Sequence, residues 1–244
     1  MSLAQELSQK TLDAIVKRFG MEEVGSPYRA IESQFPPGGE VGQMRIWQGD
    51  AVRKVVYISL TVPMMQLDSH MIFAFTPPES PVPHFTLDSV LAGPTFAFHL
   101  DLIPRTDLGA NLAYIDAAFH PLTDEYEKAG QVEGLTEARL SPRQYAIMSP
   151  WMLAHRASEE AYRNVEPSID FYLDHWTGLV ENGLPKEVVE GLTAVSLTER
   201  DQRNRNIIFS VEVDKVWNQI QPLVGAEMGA HMRAVLRNQG VEEV

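Results

Sequence analysis

Two short segments of alternating apolar and polar residues, joined by Ala92-Gly93-Pro94, constrain the fold of this chain more than any other feature. They read Pro83-His84-Phe85-Thr86-Leu87-Asp88 and Thr95-Phe96-Ala97-Phe98-His99-Leu100-Asp101-Leu102. Successive side chains of a strand point to opposite faces, so the alternation predicts an antiparallel pair with one apolar and one polar face. A turn at Ala92-Gly93 that keeps the apolar faces together sets His84 opposite Asp101, Thr86 opposite His99 and Asp88 opposite Ala97.

The polar face of this pair would carry two imidazoles and two carboxylates, from His84, Asp88, His99 and Asp101. Groups that titrate near and below neutral pH, held on a rigid sheet, suit proton transfer. The alternative is that this is the solvated face of a half-exposed sheet. A solvated face usually carries Lys, Arg, Glu and Thr, whereas this one has no basic residue. The pattern leaves both interpretations open.

Composition narrows the class of protein. At 244 residues, 44% of them hydrophobic, the chain is expected to form one domain over residues 1–244. It has no apolar run of membrane-spanning length and no signal-like start, which predicts a cytoplasmic protein. Cysteine is absent, which removes disulfides, zinc–thiolate sites and iron–sulfur clusters. The net charge of −13 disfavours nucleic acid and anionic membranes as partners.

The order of elements predicts an α+β fold. An amphipathic helix over residues 4–19 precedes about five antiparallel strands, which end with the pair described above. Helices are then expected over residues 111–119, 121–129, 159–182, 186–219 and 226–238, with one more strand within 145–156. The chain has neither a dinucleotide-binding nor a P-loop glycine motif, and no histidine pair at metal-binding spacing.

A group of motifs resembles red chlorophyll catabolite reductase. The chain reads Pro83-His84-Phe85, Asp88, Gly93-Pro94-Thr95, and then Leu100-Asp101-Leu102-Ile103-Pro104-Arg105-Thr106-Asp107-Leu108 with Asn111 and Tyr114. The resemblance continues at Ser149-Pro150, Arg200-Asp201, Val211-Glu212-Val213-Asp214-Lys215, Pro222 and Gly225. The patterns P-x-F-x-x-D, D-L-x-P and a late Asp-Lys also occur in the ferredoxin-dependent bilin reductases. The matching segments are scattered over residues 83–237, and the first eighty residues add little.

The resemblance implies a three-layer α/β/α sandwich with a central, mostly antiparallel sheet. It implies reduction of an open-chain tetrapyrrole, a bilin such as biliverdin or red chlorophyll catabolite, by a radical mechanism. Single electrons would come from external ferredoxin and protons from acidic side chains, with no permanently bound cofactor or metal. The chain departs from the chlorophyll-catabolite enzymes at Asp88, where they carry Glu, and it starts without the transit peptide of a plant member. The resemblance therefore favours a bacterial relative.

The resemblance also implies roles for individual residues. Asp88, Asp101 and Asp214 match acidic positions that deliver protons, and His84, predicted opposite Asp101, could relay a proton or be a plain buried histidine. His99, Arg105, Phe209 and Trp217 are expected to contact the substrate, Arg105 through a propionate unless it forms a structural ion pair or turn with Asp107. The apolar stripe around Asp214 is equally interpreted as ordinary core.

Two further functions remain open from the residues alone. One is a non-catalytic tetrapyrrole-binding carrier, and the other is a cofactorless acid–base enzyme. For a reductase, an acidic ferredoxin would need a basic patch on this acidic chain. The expected patch comprises Lys186, Arg200, Arg203, Arg205, Lys215, Arg233 and Arg237. A homodimer is compatible with the sequence.

Overall fold

The computed structural model describes residues 1–26, 29–34, 37–192 and 196–241. Within them, nine strands form one antiparallel sheet in the spatial order β1-β3-β4-β5-β6-β7-β9-β8, and β2 pairs with β3 outside this order. The strands are β1 Glu22–Val24, β2 Ala30–Gln34, β3 Pro37–Gln48, β4 Lys54–Val62, β5 Leu67–Phe75, β6 His84–Ala92, β7 Thr95–Ile103, β8 Leu135–Glu137 and β9 Leu153–Ala157.

Helices cover both faces of the sheet. They are α1 Leu3–Arg18, α2 Leu112–Ala118, α3 Thr123–Gly130, α4 Pro142–Tyr145, α5 Glu159–Asn164, α6 Glu166–Asn182, α7 Lys186–Gly191, α8 Leu197–Ile208, α9 Val216–Val224 and α10 Ala226–Arg237. One core lies between the sheet and α1, α2, α3, α5, α6 and α7, and a second lies between the opposite face and α8, α9 and α10. This arrangement of two cores around one sheet confirms the predicted α+β class and its layers.

The predicted register of the central pair is wrong by two residues. Thr86 pairs with Asp101, Asp88 with His99 and Val90 with Ala97, and His84 lies opposite Ile103. The turn residues are Gly93 and Pro94 rather than Ala92 and Gly93, because Ala92 still pairs with Thr95. Gly93 has a φ of 60°, which a type II′ turn requires at its first central position, and proline supplies the φ that the second position needs. A shift of two keeps every side chain on its predicted face.

Several predicted elements divide differently along the chain. Within the described ranges the sheet has nine strands where six were expected, and the three additional ones, β1, β2 and β8, are short. The helix predicted over 159–182 is interrupted between α5 and α6, where Pro167 starts the second helix. The helical region 186–219 consists of α7, α8 and the start of α9. None of the helices in the described part of the chain is long and apolar enough to span a membrane.

The polar face of the β6–β7 pair is covered by the second core. His84, Thr86 and Asp101 are each at most 1% exposed, because α8 and α9 pack over this face. The interpretation of these residues as a solvated sheet face is therefore wrong. Because these polar side chains are buried, each one that lacks a hydrogen-bond partner lowers the stability of the fold.

A glycine in β3 offers a test of the sheet. A Cβ at Gly42 would lie 1.9 Å from the backbone oxygen of Ser59 in β4, so Gly42→Ala must push two paired strands apart. We expect this substitution to lower the free energy of unfolding by roughly 1–3 kcal/mol, as overpacking typically does. The matched control is Gly178→Ala in α6, where the new methyl meets nothing within 4 Å. Urea unfolding should show the control neutral or stabilised, and equal stabilities of the two variants would contradict the register of β3 with β4.

Candidate active site

A small cavity lies between the polar face of the sheet and the C-terminal helices. We call it the acid cavity. Its volume is about 160 Å³, and its polar lining comes from Thr86, Asp88 and His99 on the sheet and Asp214 and Trp217 above it. The remaining walls are mainly apolar, from Met71, Phe73, Ile103, Leu140, Met148, Ile208, Phe209, Val213 and Val216, with Gln144. The cavity therefore combines an apolar enclosure with a few convergent polar groups, which is typical of small-molecule sites.

Four buried polar atoms that line the acid cavity have no hydrogen-bond partner within the described residues. They are Thr86 Oγ1, Asp88 Oδ1, His99 Nε2 and Trp217 Nε1. Leaving one such atom unpaired costs about 1–3 kcal/mol, so folded chains rarely gather several at one place. This set offers an indole donor, a carboxyl, an imidazole nitrogen and a hydroxyl to whatever occupies the cavity.

Asp88 and Asp214 bring two carboxyl groups to the same cavity. Asp88 belongs to β6, and Asp214 is held at the start of α9, where its Oδ1 accepts a hydrogen bond from the Val216 amide at 3.0 Å. Burial, with the negative charge of Asp214 added, raises the pKa of Asp88 to about 7. Burial also raises the pKa of Asp214. Near neutral pH this pair consequently holds a proton that it can donate.

His99 lies beside this pair, opposite Asp88 in the sheet. Burial lowers the pKa of His99 to about 4, so its imidazole is neutral at neutral pH. A neutral ring can accept a hydrogen bond at one nitrogen and donate one at the other. His99 is therefore suited to hold a polar group of a ligand rather than to provide a positive charge.

Asp101 lies just below the acid cavity. It pairs with Thr86, and it stands between His99 and Ile103 on the same face of β7, but it does not line the cavity itself. Its Oδ1 accepts a hydrogen bond from the Ser149 hydroxyl at 2.5 Å and its Oδ2 accepts one from the Ser149 amide at 3.0 Å. Burial nevertheless raises the pKa of Asp101 to about 7. It is a second acid that is poised to release a proton.

His84 and Arg105 lie outside the acid cavity, in a buried ionic cluster with Asp201. His84 Nε2 is 2.7 Å from Asp201 Oδ1, and Arg205 Nε donates to Asp201 Oδ2 at 2.8 Å. The Arg105 guanidinium lies 3.6 Å from Asp201 Oδ1 and donates to the Pro78 carbonyl at 2.7 Å and to Thr76 Oγ1 at 2.9 Å. We call His84, Arg105, Asp201 and Arg205 the ionic clamp, because it joins the sheet to α8.

The hydrogen bonds of the ionic clamp indicate the protonation states of His84 and Asp201. His84 Nδ1 accepts a hydrogen bond from the Thr76 amide at 3.1 Å, so its proton is assigned to Nε2, which donates to Asp201. Burial and the charge of Arg105 hold the pKa of His84 well below its usual range. Burial alone would raise the pKa of Asp201, but the His84 hydrogen bond and the charges of Arg105 and Arg205 lower it strongly. Asp201 is therefore ionised, unlike the acids of the cavity.

These positions correct the expected roles of two residues. The predicted juxtaposition of His84 with Asp101 is wrong, and the His84 ring is engaged with Asp201 instead. Arg105 is 1% exposed and does not reach the acid cavity, so it is not available there for a propionate. Its ionic partner is Asp201 rather than Asp107, whose Oδ1 accepts from the Gly109 amide at 3.0 Å.

A second cavity of about 600 Å³ adjoins the acid cavity. The two share Leu140, Gln144, Val213, Asp214 and Val216 as lining residues. The second cavity, which we call the basic cavity, is also lined by Arg139, Arg143 and Lys215, all of which are exposed. Glu212 lines the basic cavity as well, and its carboxylate lies 3.5 Å from Arg143 Nη1.

Sequence reasoning missed two residues that determine the surroundings of the acids. Asp201 was noticed only within a matching motif, although its spacing of four from Arg205 in a helix was a signal of an ion pair. Ser149, which bonds Asp101, has no local signal in the sequence. In the predicted docking patch, Arg205 is buried in the ionic clamp, and Arg200 donates to the carbonyls of Pro104 and Thr106 at 2.7 and 3.0 Å. Both are engaged internally.

The residues that the structure describes contain no group of three or more His, Cys, Asp and Glu side chains that could hold a metal ion.

Comparison with known proteins identifies the fold. No family model matches the sequence, and none of the curated proteins matches it. Among solved structures, the chain is similar to phytochromobilin synthase from tomato in complex with biliverdin, with a TM-score of 0.74 and 16% sequence identity. The match covers 98% of this chain and 84% of the tomato chain. This chain therefore shares the fold of a protein that binds a linear tetrapyrrole.

Proposed function

We propose that this chain is a reductase of an open-chain tetrapyrrole, either a bilin or a red chlorophyll catabolite. In this proposal, single electrons come from reduced ferredoxin, and protons come from Asp88, Asp214 and Asp101. The observation that carries the proposal is the set of four unpartnered polar atoms in the acid cavity. The similarity in fold to a structure that holds biliverdin supports it.

The polar atoms of the acid cavity complement one end of a linear tetrapyrrole. Pyrrole N–H groups would donate to the Asp88 carboxyl or the His99 nitrogen, and a terminal lactam oxygen would accept from Trp217 Nε1 or the Thr86 hydroxyl. Phe209 and Trp217 supply aromatic walls on which a flat conjugated ring can pack. Inside an apolar enclosure each hydrogen bond that the ligand makes to one of these atoms contributes to binding.

The size of the recess fits a pigment that spans both cavities. Sites for drug-sized ligands typically measure about 300–1,000 Å³, so the acid cavity takes only part of such a molecule. The adjoining basic cavity is large enough for the remainder. In it, Arg139, Arg143 and Lys215 would hold the propionate groups, taking the role that the sequence suggested for Arg105.

Reduction of one double bond consumes two electrons and two protons. The first electron gives a substrate radical anion, which takes a proton from a neighbouring acid, and the second electron and proton complete the step. Asp88 and Asp214 line the cavity and are proposed to protonate the ring bound there, with Asp101 as a second acid below it. With a pKa of about 7, Asp88 and Asp101 are each about half protonated at neutral pH, so both can supply a proton when the radical anion forms.

The first prediction concerns pigment binding and electron supply. Biliverdin added to the purified protein should shift in visible absorption, and anaerobic addition of ferredoxin, ferredoxin reductase and NADPH should then bleach or shift the bound spectrum further. Because docking relies on a limited basic surface of an acidic chain, the rate should fall as salt is raised above about 0.1 M, where the Debye length is about 10 Å. The same measurements are made in parallel with red chlorophyll catabolite in place of biliverdin.

Other outcomes of this experiment separate the alternatives. Binding without reduction of either pigment would favour the non-catalytic carrier. Failure to bind either pigment would favour the cofactorless acid–base enzyme. Reduction by NADPH alone, at a rate indifferent to salt, would contradict the role proposed for ferredoxin.

The second prediction tests the environment of Asp88 without any substrate. Its pKa is about 7 in the folded protein and near 3.8 for an ordinary carboxyl, so the wild type loses stability as pH rises between these values. Asp88→Asn removes this loss and should be more stable than the wild type above pH 7, by up to about 4 kcal/mol at about 1.4 kcal/mol per pKa unit, but not below pH 4. Urea unfolding at both pH values measures the difference. The matched control is Asp116→Asn, at an exposed position, and an equal pH-dependent gain in both variants would contradict the placement of Asp88.

The third prediction concerns Asp101. Asp101→Asn keeps the shape of the carboxyl but cannot donate a proton, so pigment binding should persist while single-turnover reduction slows by roughly 100-fold or more. Stopped-flow absorption under anaerobic conditions measures the rate, and a spectral titration measures binding. Turnover equal to that of the wild type would remove Asp101 from the mechanism.

A further inference from the structure

We propose that Ser149 is a proton-relay residue that connects the buried Asp101 carboxyl with water in a groove at the edge of the sheet. The inference rests on the proposed function only in its use of Asp101 as an acid. Ser149 would act through Asp101 and not on the substrate, and it is in this sense a positioning residue.

The first observation is the isolation of Asp101. Its side chain is fully buried, so once it has given up a proton it needs an internal route to recover one. It accepts hydrogen bonds from the backbone amides of Ser149 and Leu102 and from the Ser149 hydroxyl. An amide N–H cannot pass on a proton under these conditions, whereas a hydroxyl both donates and accepts. Ser149 is therefore the member of this group that can serve as a route.

The second observation is a surface groove that Ser149 helps to line. We call it the edge groove. It has a volume of about 700 Å³, and Tyr126, Glu137, Tyr145, Ser149, Pro150 and His155 are among its lining residues. Glu137, Tyr145 and Pro150 are exposed, so water has access to the groove. Ser149, which is 5% exposed, thus bonds Asp101 and also lines a water-accessible recess.

The third observation is that Ser149 is held firmly in this position. The Met152 amide donates to the Ser149 carbonyl at 3.2 Å, which closes a turn with Pro150 at the position where proline is favoured. The Trp151 amide donates to Ser149 Oγ at 3.1 Å, which leaves the hydroxyl proton directed to Asp101. Tyr172 in α6 donates to the Trp151 carbonyl at 2.7 Å and anchors the turn to the helical layer.

The proton balance of the relay is simple. After Asp101 has protonated the reduced pigment, a hydronium ion in the edge groove passes a proton to Ser149 Oγ, which forms a new O–H bond there and leaves a neutral water. In the same step the original Ser149 O–H bond breaks and its proton forms an O–H bond at Asp101 Oδ1. One proton is taken up from solvent for each one delivered, and no electron moves in these steps.

The experiment measures the hydrogen–deuterium exchange of the Asp101 carboxyl by time-resolved infrared spectroscopy at about pH 6, in the protein without pigment. The band is assigned by its loss in Asp101→Asn. Ser149→Ala keeps the amide hydrogen bond that holds the carboxyl but lacks the hydroxyl, so exchange should slow by roughly 10-fold or more. Ser149→Thr restores a hydroxyl and should bring the rate back towards that of the wild type. The matched control is Ser158→Ala, which removes a helix-capping hydroxyl elsewhere and should leave the rate unchanged.

A second variant addresses the groove itself. Ala138 lines the edge groove, so Ala138→Trp should block part of the groove and slow the exchange while the Ser149 hydroxyl is retained. Exchange at the wild-type rate in both Ser149→Ala and Ala138→Trp would overturn the relay, as would the absence of a protonated Asp101 band. If exchange slows in both variants but the wild type reduces neither pigment, the relay is retained and the proposed function is rejected.

Discussion

The ionised carboxylate of Asp201 is the interaction on which the site depends, because it joins the C-terminal helices to the sheet. It is bound by His84 from β6, by Arg205 from its own helix and by the side chain of Gln239, with Arg105 nearby. A buried charge without such partners would be strongly destabilising, so these groups have to assemble together. Arg205 also packs over the Phe75 ring at 3.9 Å, which ties the cluster to β5.

The ionic clamp explains how the neighbouring polar face can remain incompletely paired. His84 lies two residues before Thr86 and four before Asp88 on the same face of β6. The bond between His84 and Asp201 therefore also holds in place the strand that carries Thr86 and Asp88, which line the acid cavity. The helices above the floor bring Phe209 and Trp217 over it. The Asp201 carboxylate, with partners at both oxygens, thus holds one end of the face in place, while Thr86, Asp88 and His99 each keep an unpaired atom at the other. Such a division is what a preorganised binding site requires.

Sequence periodicity predicted which residues share a face of the sheet, since a period of two is independent of which turn is used. It did not predict their pairing, because Ala92-Gly93 and Gly93-Pro94 are both plausible turns and differ by two residues in register. The role of His84 could not be predicted either, because its partner Asp201 is 117 residues away. The resemblance pointed to Asp88 and Asp214, which the structure brings to one cavity, but long-range packing decides the surroundings of each.

Aspartate side chains in this chain differ in protonation state because their neighbours differ. Asp201, surrounded by two guanidinium groups and a donating imidazole, stays ionised in spite of its burial. Asp88, buried with another carboxyl facing it, keeps a proton until pH approaches its pKa of about 7. Asp101 is also an acid near neutrality, but it has only hydrogen bonds from Ser149 and the backbone to offset its burial. The residue type alone therefore does not decide the protonation state of a carboxyl here; the carboxyls that hold a proton near neutral pH are those to which the fold gives no cationic partner.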